Sequence, residues 1–295
     1  MITVKLIGGL GNQMFQYACA RRLALKRGVE LKLDLTFLLH RLPRKDFTFR
    51  NYGLNIFNIK ENFTFLSRVA LYFNNSVFVI SFIISRLIKF FYPNYMVEEI
   101  DPRCFESKIL NLGKNAYLSG ILAHEKYFLD VEEIIRKDFI FKKPLVGKNK
   151  ELAGMINSTN SVSLHIRRGD HVHSSYAPSE IAEKNTLCYY QKARDYILEK
   201  ISNPVFFIFS DDPSWAKENL KISAKTVVDN NTGDSSYIDM QLMSLCKHNI
   251  ISFSTFSWWA AWLNNNPQKI VIAPKKWNNF NKYGHGIFTN SWIEL

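Results

Sequence analysis

Residues 1–34 read MITVKLIGGLGNQMFQYACARRLALKRGVELKLD, and this stretch decides the fold class. Ile2 to Ile7 is a short apolar run with the look of a strand. Leu10 to Arg27 follows with the length and pattern of a helix, and Val29 to Asp34 reads as a second strand. A β-α-β opening implies a parallel sheet with helices on its faces.

The same alternation returns further along. Strands are expected at Val162–Ile166, Val205–Phe209, Thr226–Val228, Asn249–Phe253 and Ile270–Ala273. Helices are expected at Thr186–Lys200, Pro213–Asn219, Asp239–Cys246 and Thr255–Leu263. Between the two series, Tyr117–Ile121 has the character of a strand and Phe128–Lys137 that of a helix. Lys142–Lys150 contains Pro144, Gly147 and four lysines and reads as a linker. The expected organisation is therefore two α/β domains, 1–145 and 151–295, meeting at a cleft suited to a ligand.

Composition bounds the function. The chain has 295 residues, 47% of them hydrophobic, enough for a sizeable core. A net charge of +12 points to an anionic partner: a nucleotide phosphate, nucleic acid or an acidic membrane surface. No zinc-finger or RNA-stacking pattern supports nucleic acid. Cys19, Cys104, Cys188 and Cys246 form no Cys-x-x-Cys pair, so reduced thiols of a cytoplasmic protein are expected rather than disulfides or zinc. Met1–Ile7 lacks the form of a signal peptide. Val69–Ser85 carries no charge, yet Asn74 and Asn75 interrupt it, and a membrane span needs about 20 apolar residues. Buried helices are the expectation there. A peripheral contact with anionic lipid, using Arg86 and Lys89, stays open.

Four segments carry chemistry. Ser163-Leu164-His165-Ile166-Arg167-Arg168-Gly169-Asp170 sends a strand into two arginines. On extended backbone His165 and Arg167 point one way and Arg168 the other. A guanidinium at a strand tip suits a phosphate, and it equally suits a salt bridge to a nearby aspartate. Gly8-Gly9-Leu10-Gly11-Asn12-Gln13 places a glycine turn and two amides at a helix mouth, without the third glycine of a dinucleotide fingerprint or the Lys-Ser/Thr of a P-loop. Simple turn geometry accounts for the glycines equally well. Phe209-Ser210-Asp211-Asp212 ends a strand on carboxylates, either for a ligand or, through Ser210 or Asp211, to cap the helix at Pro213. Ser252 through Trp259 passes from strand to helix through hydroxyls at Ser254, Thr255 and Ser257, a phosphate seat or an ordinary cap. Trp258, Trp259 and Trp262 read as core. The chain holds no Asp-x-Asp of the kind metal-dependent sugar transferases use.

Taken in order, Gly8–Ala18, His165–Asp170, Phe209–Asp212 and Cys246–Trp259 resemble the bacterial α-1,2-fucosyltransferase family, over residues 4 to about 277. The resemblance implies a GT-B fold with two Rossmann-like domains and an inverting transfer from GDP-β-L-fucose to a terminal galactose. It implies no cofactor and no metal. By similarity, Arg167 holds the β-phosphate and Asn12 lies near the phosphate and the fucose. His165 and Asp239 meet guanine, Thr255, Phe256 and Ser257 cradle the diphosphate, partly through backbone N–H groups, and Asp170 orients the arginines. Gly11, Gln13, Arg168, Asp211 and Ser254 complete the expected donor set, with Arg167, Asn12 and Asp170 nearest the reaction. The resemblance assigns the acceptor to the N-terminal domain and the donor to the C-terminal one. It places the enzyme in surface-polysaccharide synthesis, cytoplasmic or at the inner face of the membrane, on a glycan that is free or lipid-linked. His171, Phe253 and Ala260 depart from the family pattern. Two alternatives remain: a same-fold transferase with another GDP-sugar, acceptor or linkage, and a non-enzymatic basic protein that binds membranes.

Overall fold

The computed structural model describes residues 1–39, 48–73, 95–101, 104–168, 180–275, 287, 289 and 291–295. One compact unit runs from Met1 to Lys142, and a second takes up the chain at Lys143.

The first unit holds a parallel sheet of β1 (Ile2–Lys5), β2 (Leu31–Asp34), β3 (Met96–Glu98) and β4 (Ala116–Ser119), in the order β2-β1-β4-β3. β1 lies between β2 and β4, with Ile2 beside Leu31 on one side and Ala116 on the other. Ile2 and Val4 are fully buried, which is why this run is apolar. The first helix, α1 (Leu10–Arg27), buries Met14, Phe15, Ala18, Cys19 and Leu23. It ends where Gly28 turns left-handed and donates its N–H to the Ala24 and Leu25 carbonyls, with Lys26 and Arg27 at the negative end of the helix dipole. β1 stops at Lys5, short of the expected Ile7, because the chain turns through Gly8 at φ +75°. The edge strand β3 has no sequence signal, being three residues long.

The second unit is a six-stranded parallel sheet of β5 (Asn160–Ile166), β6 (Pro204–Ser210), β7 (Lys225–Val228), β8 (His248–Ile250), β9 (Val271–Ala273) and β10 (Ile293–Glu294). Its order is β10-β9-β8-β5-β6-β7. The chain runs outward from β5 through β6 and β7, then returns to lay β8 on the other side of β5. That reversal is a topological switch point, and ligands of open α/β sheets bind outside the carboxyl ends of the strands there. Val162, Leu164, Ile166, Phe206, Ile208 and Ile250 pack together around it. Tyr190, from the helix Glu180–Lys200, donates its hydroxyl to the His165 carbonyl at 3.0 Å, and Tyr189 donates to the carbonyls of Ile251 and Ile272.

The reading of 142–150 as a linker holds only in part. A helix starts inside it and runs Gly147–Ser158. It buries Leu152 and Ile156, and Lys148 pairs with Asp229 at 3.4 Å. Lysines that look like linker are its solvent face.

Candidate functional site

Strand register brings the first pair of groups together. Ile166 lies opposite Ser210, so the residues that follow β5 and β6 emerge side by side. Arg167 Nη1 meets Asp211 Oδ2 at 2.8 Å, and the Arg168 N–H donates to Asp211 Oδ1 at 2.8 Å. Both carboxylate oxygens are therefore engaged in aiming the arginine turn. Arg168 goes the opposite way, as strand alternation requires. Its Nε donates to Asp212 Oδ2 at 3.3 Å and its guanidinium lies 4.2 Å from the centre of the Trp215 ring. Asp212, not Ser210 or Asp211, caps the helix Pro213–Asn219, accepting the Trp215 N–H at 3.1 Å.

The other side of the switch point supplies hydroxyls. His165 is buried, and its Nδ1 lies 2.8 Å from Ser252 Oγ. Burial pushes its pKa down to about 4; Asp211 acts to raise it and Arg167 to lower it further. The imidazole is neutral at pH 7. Phe256 packs against it, ring centres 5.8 Å apart. Ser254 caps the helix Thr255–Leu263, accepting the Phe256 N–H at 3.3 Å. Ser257, expected at the ligand, is fully buried: its Oγ accepts the Ser252 N–H at 3.3 Å and donates to the Ser254 carbonyl at 3.2 Å. Its hydroxyl thus holds the turn, and a cradle made through backbone N–H groups does not depend on it. Trp258 and Trp259 are buried as a core pair, 5.0 Å between ring centres.

Asp239 lies in the first turn of the helix Tyr237–Leu245. Its Oδ1 accepts from Asn231 Nδ2 at 2.7 Å, and Asn231 is in turn held by Asn149 at 2.8 and 3.0 Å. Burial raises the carboxyl to about 7, against the Asn231 hydrogen bond that lowers it. A carboxylate poised there can accept from adjacent N–H groups when ionised.

In the first unit, a side chain on Gly8 would come within 2.5 Å of Asn12 Nδ2, so the turn requires glycine both for its φ of +75° and for Asn12 to lie across it. Gly11 is buried at the start of α1. Gln13, expected in the donor set, ties the turn to a loop with its side chain. Fully buried, it donates to the Gly8 and Asn51 carbonyls at 2.9 Å and accepts the Gly53 N–H at 2.9 Å. Asp170 and His171 lie outside the described residues. Tyr190, Trp215 and Asn231 escaped the sequence reading, since only contact reveals a supporting residue.

The whole chain, residues 1–295, matches the family described as glycosyl transferase family 11. The chain belongs to glycosyl transferase family 11. It is a glycosyltransferase, which sets aside the non-enzymatic alternative. Among its relatives, the α-1,2-colitosyltransferase of Escherichia coli is 36% identical over 94% of this chain and 92% of its own. The O-antigen biosynthesis glycosyltransferase WbnK of Escherichia coli is 36% identical over 98% and 99%. The rat galactoside α-(1,2)-fucosyltransferase 2 is 35% identical over 35% of this chain and 29% of its own. Among solved structures, the NodZ α-1,6-fucosyltransferase soaked with GDP-fucose superposes with a TM-score of 0.52 at 16% identity, over 96% of this chain and 97% of that one. The likeness shows the fold of this family 11 enzyme, the GT-B type with parallel α/β sheets. Among the described residues no helix is long and apolar enough to cross a membrane.

Proposed function

We propose that this enzyme transfers L-fucose from GDP-β-L-fucose to the 2-hydroxyl of a terminal galactose, with inversion and without a metal, in O-antigen or capsule synthesis. The observation that carries the reading is the guanidinium of Arg167 anchored on Asp211 at the switch point, where the neighbouring strand β8 leads into a hydroxyl-rich helix start. The second unit takes the donor and the first the acceptor. Arg167 meets the β-phosphate, with Ser254 and Thr255 at the helix N-terminus beside it. Asp211 holds Arg167 in place, and Arg168 is tied to Asp212 and Trp215. His165 and Asp239 serve the base, and Asn12, with Gly11, serves the phosphate and sugar.

The reaction breaks the bond from fucose C1 to the β-phosphate oxygen, and the electron pair leaves on GDP. Positive charge at Arg167 meets the negative charge as it grows, worth roughly 3 kcal/mol in the transition state. The fucosyl centre gains oxocarbenium character. The galactose 2-hydroxyl oxygen bonds to C1 from the opposite face and its proton passes to solvent. Asp211, with both oxygens held by the arginine turn, is a positioning group and not the base. The +12 net charge accords with a lipid-linked acceptor at the inner face of the cytoplasmic membrane.

A second donor deserves the same assay, because one relative of equal identity is named for colitose transfer. Colitose is fucose without its 3-hydroxyl. Competition between GDP-fucose and GDP-colitose for transfer to lactose, with the product linkage read by NMR, decides between them. A fucosyl-α-1,2-galactose product made in preference supports the reading. Preferred colitosyl product, or another linkage, overturns it.

A further inference from the structure

Two side chains of the first unit, the buried Gln16 and the half-buried Glu99, tie together loop ends that follow three different strands. Gln16 stands three residues after Gln13 on α1 and is likewise fully buried. Its Oε1 accepts the Ile7 N–H at 3.0 Å, while its Nε2 donates to the Ile7 carbonyl at 3.3 Å and the Gly120 carbonyl at 2.9 Å. A single amide thus joins the turn after β1 to the loop after β4. Glu99, the residue after β3, holds that loop from the other side. Its Oε2 accepts the Ile121 N–H at 2.7 Å, and both its oxygens accept the Leu122 N–H, at 3.1 and 3.0 Å.

The loop so held is strained. Leu122 has φ +56° and Gly120 φ +156°. A Cβ on Gly120 would lie 2.5 Å from the Glu99 Cβ and 2.7 Å from its Oε2, so only glycine admits the carboxylate. Leu122 is buried, whereas Gly120 and Ile121 keep partial exposure. A leucine in the left-handed region persists only where its surroundings over-determine it, and such strain gathers at functional loops. The loop leaves the carboxyl edge of a parallel sheet, the edge on which α/β folds bind ligands.

We propose that Gln16 and Glu99 are positioning residues that lock the Gly120–Leu122 loop to the Gly8 turn, giving the acceptor sugar a fixed surface on the first unit. The inference rests on the reading that this unit takes the acceptor. Neither residue touches substrate. Their lock determines how the fucosyl group divides between a sugar hydroxyl and water. Either outcome breaks the same C1–oxygen bond to GDP; the new bond to C1 comes from the sugar oxygen or the water oxygen, and one proton goes to solvent.

The test uses the full chain and the variants Gln16→Glu and Glu99→Gln, which keep side-chain size while altering the donor and acceptor pattern. GDP affinity, lactose-dependent GDP release and GDP release into water are measured together. The expected result for Glu99→Gln is an unchanged GDP Kd, a lactose KM raised about tenfold and a hydrolysis-to-transfer ratio raised about tenfold; Gln16→Glu, which also bears on the turn that carries Asn12, should give the same two increases together with weaker GDP binding. Equal loss of transfer and hydrolysis at constant KM would mean a purely structural role and would overturn the proposal. Ile121→Ala keeps the test open should those variants not fold. It leaves the Ile121 and Leu122 N–H groups on Glu99 and should raise the lactose KM several-fold at constant GDP Kd; an unchanged KM also overturns the proposal. If the wild type shows no lactose-dependent release, the functional reading falls first and the lock's stated role with it.

Discussion

Arg167 and Asp211 occupy matching positions just past the ends of neighbouring strands, and their side chains meet at 2.8 Å. The second Asp211 oxygen takes the Arg168 N–H, so one carboxylate sets both the backbone turn and the guanidinium. Asp211→Asn keeps the shape and removes the charge. Transfer should fall about tenfold, less than the roughly 10²–10³-fold expected for loss of the Arg167 guanidinium itself. Steady-state kcat/KM for both variants checks the ranking; equal losses would make Asp211 a direct participant.

Asp239 should make GDP binding pH-dependent. Its carboxyl is raised to about 7, with burial the main cause. If the ionised form accepts from the base, GDP affinity rises as pH climbs through 7, and Asp239→Asn removes that rise. Folding runs the other way. A carboxyl raised above its unfolded value leaves the native state holding more protons, so Asp239 makes stability fall as pH rises from about 4 toward 7. Asp239→Asn should flatten that slope. Calorimetric titration with GDP, and denaturant melts from pH 5 to 8, test both halves.

His165 should do the reverse in acid. Its folded pKa of about 4 lies below the ordinary 6.5, so between these values the unfolded chain takes up a proton that the native state refuses. Its share of stability is full above about 6.5 and is lost progressively as pH falls toward 4. The imidazole NMR signal should not titrate between pH 6 and 8. A midpoint in that range would contradict the neutral, Ser252-bonded ring.

The alternation of a strand made the opposed directions of His165–Arg167 and Arg168 readable in the sequence, and the β-α-β opening made the sheet readable as parallel. The partners were not. Asp211 meets Arg167 only through the pairing of β5 with β6, a register that no local pattern encodes. Ser210 and Asp211 are the cap candidates on paper; geometry makes Asp212 the cap and Asp211 the arginine's anchor. Gln13 and Ser257 looked like ligand groups because polar residues beside glycines and helix mouths commonly are. The structure shows both side chains fully buried on backbone partners, which the local pattern does not reveal. The helix Gly147–Ser158 hid behind lysines, since two apolar residues suffice to dock it.

The central claim is that Arg167 receives the charge of a departing GDP. The most direct measurement is lactose-dependent GDP release from GDP-fucose, with EDTA present, by wild type and Arg167→Ala side by side. The account predicts release by the wild type that persists in EDTA and falls about 10²–10³-fold in the variant. Full activity in Arg167→Ala, or a wild type that fails to bind GDP, would contradict it.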